Sequence, residues 1–301
     1  MHSRKMWSKR ALAGALSLLL LLLLLAGCAT ESEDIPTGPA ITVDRLISDG
    51  WTAYAQGEYD QALTNFSDAA NAEANNLEAY LGMGYTFAQQ QESSRAIQNL
   101  GNVIALGAVL VADEFITPEY YTTLKVEASA GKAATYLGDR AYDDAVAWAD
   151  SVIEEDPEFA HRWIDDFGIL EVKRIQAEAY YGAEEYAECM FVVDELTGSF
   201  ISGSTQIVNT TETIAVTILE DTPASGVAEL HLSTPNLIYP SSVTDAGGVS
   251  CEVVSYETGG STITFRANPV PVFGDQYDVQ YLYATDFGEF LIELRDALDS
   301  L

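Results

Sequence analysis

The sequence predicts a mainly α chain with an added β part: an α-α superhelix of about four helix pairs, a small antiparallel β domain, then a C-terminal helix. Three observations predict it. Helical apolar periodicity recurs at a spacing of 34 residues between positions 43 and 110, with Ala62 and Ala96 at the same place in successive units. After Leu196, Thr, Val, Ser, Gly and Pro replace Ala, Glu and Gln, and apolar residues begin to alternate. Beyond Asp286, Phe290, Leu291, Leu294, Leu298 and Leu301 fall back onto one helical stripe. The expected divisions are a targeting segment at 1–27, a flexible tether at 28–41, helical repeats at 42–198, the β domain at 199–285 and the last helix at 286–301.

Residues 1–27 carry no fold information. Arg4, Lys5, Lys9 and Arg10 precede an apolar stretch from Ala11 to Ala26 that includes an unbroken leucine run from Leu18 to Leu25. That stretch is shorter than the roughly 20 residues of a spanning helix. It ends in Leu25-Ala26-Gly27-Cys28, which resembles the lipobox of bacterial lipoproteins. The resemblance implies a signal peptide cleaved before Cys28 and acylation of that residue (palmitate is the usual chain). It also implies membrane attachment in the cell envelope. Ala29 after the modified Cys favours the outer membrane, facing the periplasm. The alternative is an ordinary signal peptide or an uncleaved anchor with an incidental Cys. The stretch after it, 29–39, is polar, acidic and broken by Pro36, Gly38 and Pro39, which suits a flexible tether.

The chain has 14 Lys+Arg against 46 Asp+Glu. The first 27 residues hold four of the basic residues and no acid, so the remainder carries 10 against 46, a net charge of −36. Such a surface repels nucleic acid and excludes nucleic-acid binding as the expected function. It suits a soluble body held off a membrane, or a saline habitat. Cys189 and Cys251 could pair in an oxidising compartment; the preferred reading makes each a small buried hydrophobe.

In the first repeat, Gly57-Glu58-Tyr59-Asp60-Gln61-Ala62-Leu63 is followed by Phe66, Ala69 and Asn75-Asn76; in the second, Leu77, Gly84, Phe87, Ala96, Leu100 and Val103 take the matching places. With this period the chain resembles the tetratricopeptide-repeat (TPR) family. Helices are expected at 43–56, 60–72, 77–90 and 93–106. Two looser copies follow, around Gly138 to Ala145 and around Ala177 to Leu196. Ala96 to Ala145 exceeds one repeat by 15 residues. Thr117-Pro118-Glu119 is a good helix start there, so the helix 118–137 should be long. Ala145 to Cys189 exceeds it by 10; residues 156–166 should form a connection packed down by Trp163 and Phe167.

The resemblance implies a concave inner face built by the first helix of each pair. Carried over to this chain, it consists of Asp44, Ile47, Trp51 and Tyr54, then Glu78, Leu81, Tyr85 and Ala88. Glu127, Ala130, Ala134 and Leu137 follow, and last Glu171, Arg174, Glu178 and Tyr181. An acid opens all four sets. As a binding groove this face would take an extended or helical segment bearing Lys or Arg. As plain structure, the acids complement helix macrodipoles and Trp51 and Tyr85 pack between helices. The structural reading is preferred for the acids and the two are balanced for the aromatics, which are also common hot spots.

In the β part, strands are expected at 206–209, 213–219, 227–232, 249–256, 262–267 and 276–284, with Thr258-Gly259-Gly260-Ser261 as a hairpin turn. Asp286 with Glu289 resembles a capping box. The final stripe should dock on the repeats or the sheet.

Catalytic patterns are lacking in the sequence: no zinc-binding His-Glu-x-x-His, Cys-x-x-Cys, phosphate loop, dinucleotide fingerprint or Gly-x-Ser-x-Gly elbow occurs. His161 beside Arg162-Trp163 reads as structural and His231 as solvent-facing. Paired acids such as Glu184-Glu185 read as surface solvation. No enzyme activity, cofactor or metal is expected. The family resemblance implies a scaffold that binds an envelope protein or peptide, basic segments among them, in assembly, secretion or cell-wall complexes. The alternative is a lipoprotein binding a glycan or small molecule for nutrient uptake, with aromatics such as Tyr239, Tyr281 and Tyr283 at the repeat–sheet junction.

Overall fold

Four helical hairpins follow one another through the first part of the chain: α1 (Val43–Ala55) with α2 (Tyr59–Ala72), α3 (Leu77–Gln89) with α4 (Ser93–Ala112), α5 (Pro118–Gly138) with α6 (Tyr142–Glu155), and α7 (Ile169–Gly182) with α8 (Tyr186–Thr197). The computed structural model describes residues 42–216, 218–219, 227–268, 271–272 and 274–301. The targeting segment, the tether and Cys28 lie outside the described residues.

All four hairpins turn by one device. A single residue adopts the left-handed region, Gly57, Gln91, Arg140 or Glu184, at φ between 60° and 75°. The next amide reaches back five residues to a carbonyl: Glu58 to Ala53, Glu92 to Phe87, Ala141 to Tyr136 and Glu185 to Tyr180. This closes the orphaned carbonyls of the first helix. Five residues after each turning residue comes a fully buried small side chain, Ala62, Ala96, Ala145 or Cys189. The recurrence makes this a TPR-like array of four helix pairs, including the two whose sequence signal is weak.

Close approach sets the packing of the first two pairs. The Phe66 ring lies against Gly50 of α1 and Gly82 of α3, where an added Cβ would sit 2.6 and 2.3 Å from the ring. The Asn76 side chain caps α3 by accepting from the Ala79 amide at 2.9 Å, and Thr117 caps α5 by accepting from Tyr120 at 3.2 Å. Helix α4 runs six residues beyond the expected end at 106. Gly107 allows this, because the Tyr121 ring of α5 crosses it where a Cβ would be 2.5 Å away. The extra residues of this repeat thus lengthen both α4 and α5. Between α5 and α6, the buried Lys132 ammonium lies 3.5 Å above the Trp148 ring, a cation–π contact.

After α8 and a short helix α9 (Phe200–Gly203) the described residues form seven strands: β1 (Ile207–Ala215), β2 (Ile218–Leu219), β3 (Val227–His231), β4 (Leu237–Asp245), β5 (Glu252–Tyr256), β6 (Thr262–Arg266) and β7 (Gln276–Ala284). They form two antiparallel sheets, ordered β1-β7-β4 and β2-β3-β6-β5. Leu230, Ile263 and Phe265 of one meet Leu237, Val243, Val279 and Tyr281 of the other in a single core.

Three strand expectations are corrected. The first expected strand and the start of the second are one, because β1 pairs with β7 without interruption from Ile207↔Ala284 to Ala215↔Gln276, while the end of the second, Ile218–Leu219, is β2 of the other sheet. The strand expected from 249 starts at Glu252, since residues 245–250 make a turn held by the Asp245 carboxylate. Strand β4 was not expected at all. It contains Pro240, tolerated because β4 lies at the sheet edge and shifts register between Pro240 and Ser242. The turn at Gly259, with φ +84°, joins β5 to β6 as expected.

The last helix, α10 (Phe287–Asp299), starts with the Asp286 side chain accepting from the Glu289 amide at 3.1 Å. Its Phe290, Leu294 and Leu298 are buried in one cluster with Met190 and Val193 of α8 and with Ile238 and Leu282 of the sheet. It therefore docks on the repeats and the sheet together. Leu301 falls outside that contact and is exposed. Cys189 and Cys251 are both free; Cys189 is buried in the same cluster, which pushes its thiol up to about 12.

Candidate functional site: an inner face closed by its own strap

The inner face is built by α1, α3 and α5. Trp51 projects from α1, meeting Phe66 edge-on at 5.2 Å between centroids and Tyr85 of α3 at 6.0 Å. The Tyr85 hydroxyl donates to the Glu127 carbonyl of α5 at 2.7 Å, tying the second repeat to the third. Burial, then the Glu127 charge, hold the Tyr85 phenol well above its ordinary range, so it stays a donor.

Across this face lies the connection between α6 and α7. Residues 159–169 form a narrow loop, closed by an Ala160↔Gly168 bridge and by the Ile169 amide donating to Phe159 at 2.8 Å. Phe159 anchors its base in the core of α5, α6 and α7. Its tip, His161-Arg162-Trp163-Ile164, covers the aromatic and acidic residues expected to line an open groove. Trp163 stacks on Trp51 at 6.0 Å with only 6° between the ring planes. His161 meets Tyr85 edge-on at 4.8 Å, and Phe167 meets Tyr85 at 6.2 Å.

Arg162 is the polar centre. Its Nε and Nη2 donate to the two Glu127 carboxylate oxygens at 2.8 and 2.7 Å, its backbone amide adds a third bond at 3.0 Å, and Nη1 reaches Glu78 at 2.9 Å. Tyr120 of α5 also donates to Glu78, at 3.2 Å. The Glu127 side chain is 1% exposed and that of Arg162 33%. Burial would lower the Arg162 pKa, but the hydrogen bonds and charges of Glu127 and Glu78 outweigh it and raise it. His161 is neutral: burial lowers it to about 4, and its Nδ1 accepts from the Trp163 and Ile164 amides at 3.1 and 3.2 Å. Among the described residues, two buried polar atoms of this contact have no partner, Trp51 Nε1 and His161 Nε2.

The four sets of expected face residues meet different fates. Ile47, Trp51, Leu81, Tyr85 and Glu127 are buried. Tyr54 is half-buried, accepts from Gln89 at 3.2 Å and is pushed up to about 12 by burial. Glu78 is half-buried beneath Arg162, whereas Asp44 is exposed at the start of α1. In the fourth repeat, Arg174 bridges Glu171 and Glu178 on its own helix. There the face stays open: Ala134, Leu137, Glu178 and Tyr181, with Arg295 of α10, line a cleft of about 680 Å³. The strap residues His161 and Arg162 were not singled out as binding residues from sequence. The signal present was a basic and aromatic triplet inside an acidic connection.

The junction aromatics do not make a platform for a sugar. Tyr281 is fully buried and Tyr283 packs on the same core. Tyr239 is held edge-on between Phe191 and Tyr256. Among the described residues no group of three His, Cys, Asp or Glu could hold a metal ion.

No protein-family model and no curated protein matches the chain. Among solved structures, similar chains include MamA 41-end from Desulfovibrio magneticus RS-1, at 18% identity over 52% of this chain and 74% of that one, with a TM-score of 0.40. TTC0263, a thermophilic TPR protein of Thermus thermophilus, shares 18% identity over 52% and 74%, with a TM-score of 0.35. PilF of Pseudomonas aeruginosa shares 12% over 52% and 75%, with a TM-score of 0.29. At such scores these likenesses carry no argument; the repeat assignment rests on the four identical turns.

Proposed function

We propose that the chain is a lipid-anchored protein-interaction scaffold of the cell envelope, facing the periplasm from the outer membrane. The observation that carries the binding part is the inner face itself. Its stacked aromatics and acids grip an arginine-bearing segment, the class of ligand that its residue types suit. The lipobox-like Leu25-Ala26-Gly27-Cys28 and the polar stretch after it support the anchoring part. Two or three acyl chains anchor a protein stably without a spanning helix. No reaction is assigned to it, and the partner expected is a protein segment of basic character, drawn to an acidic body.

The test is crosslinking capture from native envelopes of the parent and of Cys28→Ser, with acyl labelling of both. The parent should take up label, sediment with membranes and capture a defined protein. Cys28→Ser should lose label and membrane association. A parent that is unlabelled and soluble, or that crosslinks to no protein, contradicts the reading.

A further inference from the structure

We propose that the inner face of repeats one to three is a recognition site for a segment presenting an arginine next to an aromatic ring, with the strap as its cis ligand. A partner segment of that chemistry would take the place of His161-Arg162-Trp163. The proposal rests on the scaffold reading and names the kind of partner.

The strap's contacts are those of a bound peptide more than of a core loop. One guanidinium is read by two carboxylates from two helices, Glu127 along its Nε–Nη2 edge and Glu78 on the remaining nitrogen. Only arginine offers that planar fork; lysine could reach one acid but not span both. The neighbouring ring stacks flat on Trp51. Arg162 and Trp163 each keep about a third of their surface in solvent, so a competing segment has a route to the site.

The fit is also incomplete. Trp51 Nε1 belongs to the face and its residue is at least nine-tenths buried, yet it finds no hydrogen-bond partner beneath the strap. His161 Nε2, on the strap, is equally unmatched. Buried polar groups are normally paired, and each unmatched one weakens the closed form. A segment with a carbonyl or hydroxyl where the strap has none would accept from Trp51 Nε1. The acidic surface around the site favours a basic competitor over an acidic one.

The probe is a fluorescent peptide with the sequence of residues 159–169, titrated into the full chain in detergent. Because the tethered strap competes at high effective concentration, binding to the parent should be weak. It should be at least tenfold tighter to the double variant Arg162→Ala, Trp163→Ala. That gain should vanish when the peptide's arginine becomes alanine, or when Glu78→Gln and Glu127→Gln are added. In parallel, hydrogen exchange of the parent should show residues 160–165 losing protection as peptide is added, with α3 unchanged. This arm decides the matter if the double variant is unfolded. A peptide that binds neither the parent nor a folded double variant, and leaves strap exchange unaltered, overturns the proposal. If a partner is nevertheless captured from envelopes through residues elsewhere, the scaffold reading survives and the cis-ligand proposal falls.

Discussion

Arg162 and Glu127 meet 35 residues apart in the chain, with the guanidinium laid edge to edge against a carboxylate that is almost wholly buried. Glu127 belongs to the third repeat and Arg162 to a connection, so one ion pair fixes the strap to the stack. Removing one member of a buried pair leaves an unpaired charge, which typically costs 3–5 kcal/mol.

Arg162→Ala should therefore destabilise the fold by about 3 kcal/mol, the lower end of that range because the guanidinium is partly solvated. Glu127→Gln in the same chain should recover much of the loss. Urea unfolding of the two single variants and the double gives the coupling; additive effects would mean that the two side chains act independently.

The neutral His161 makes stability depend on pH. Its folded-state value of about 4 lies below the ordinary 6.5, so between these values the unfolded chain binds more protons. The contribution is complete above pH 6.5 and is lost as the pH falls towards 4, amounting to about 3 kcal/mol across the window. The unfolding midpoint of His161→Gln should vary less over this range than that of the parent. Parallel pH profiles for the two would contradict the assignment.

Glycines should separate into two classes. Gly82→Ala drives a methyl into the Phe66 ring and should cost about 1–3 kcal/mol. Gly101→Ala, in the middle of α4 with nothing within 4 Å of the new methyl, should stabilise by about 0.5–1 kcal/mol. Thermal melts of both report the sign directly.

Phe290→Ala removes a fully buried ring from the cluster shared by α8, α10 and the sheet. A loss of about 3–5 kcal/mol is expected, with one cooperative transition retained if repeats and sheet unfold together. Two separate transitions in the variant would show that α10 is what couples them.

Residue pattern made the helices legible because the period, the small residues at close approach, the turn at Asn75-Asn76 and the cap at Thr117 are all local. Strand β4 was not legible, since Pro240 argues against a strand unless the edge position and the register shift are known. The strap was legible as an insertion, and Trp163 and Phe167 as residues that pack it. Its direction was not. Counting residues gives the length of a connection but not which face it crosses. Nor does sequence separate the buried Glu127 from the exposed Asp44, which hold equivalent repeat positions; only the arrival of Arg162 from 35 residues away distinguishes them.

Amide hydrogen exchange reads whether the strap covers the inner face. The amides of His161, Arg162, Trp163 and Ile164 donate to Phe167, Glu127 and His161. They should exchange as slowly as those at the ends of α3 in the parent. In Glu127→Gln they should exchange at least tenfold faster while α3 stays protected. Strap amides that exchange in the parent at the rate of a free peptide would contradict the account.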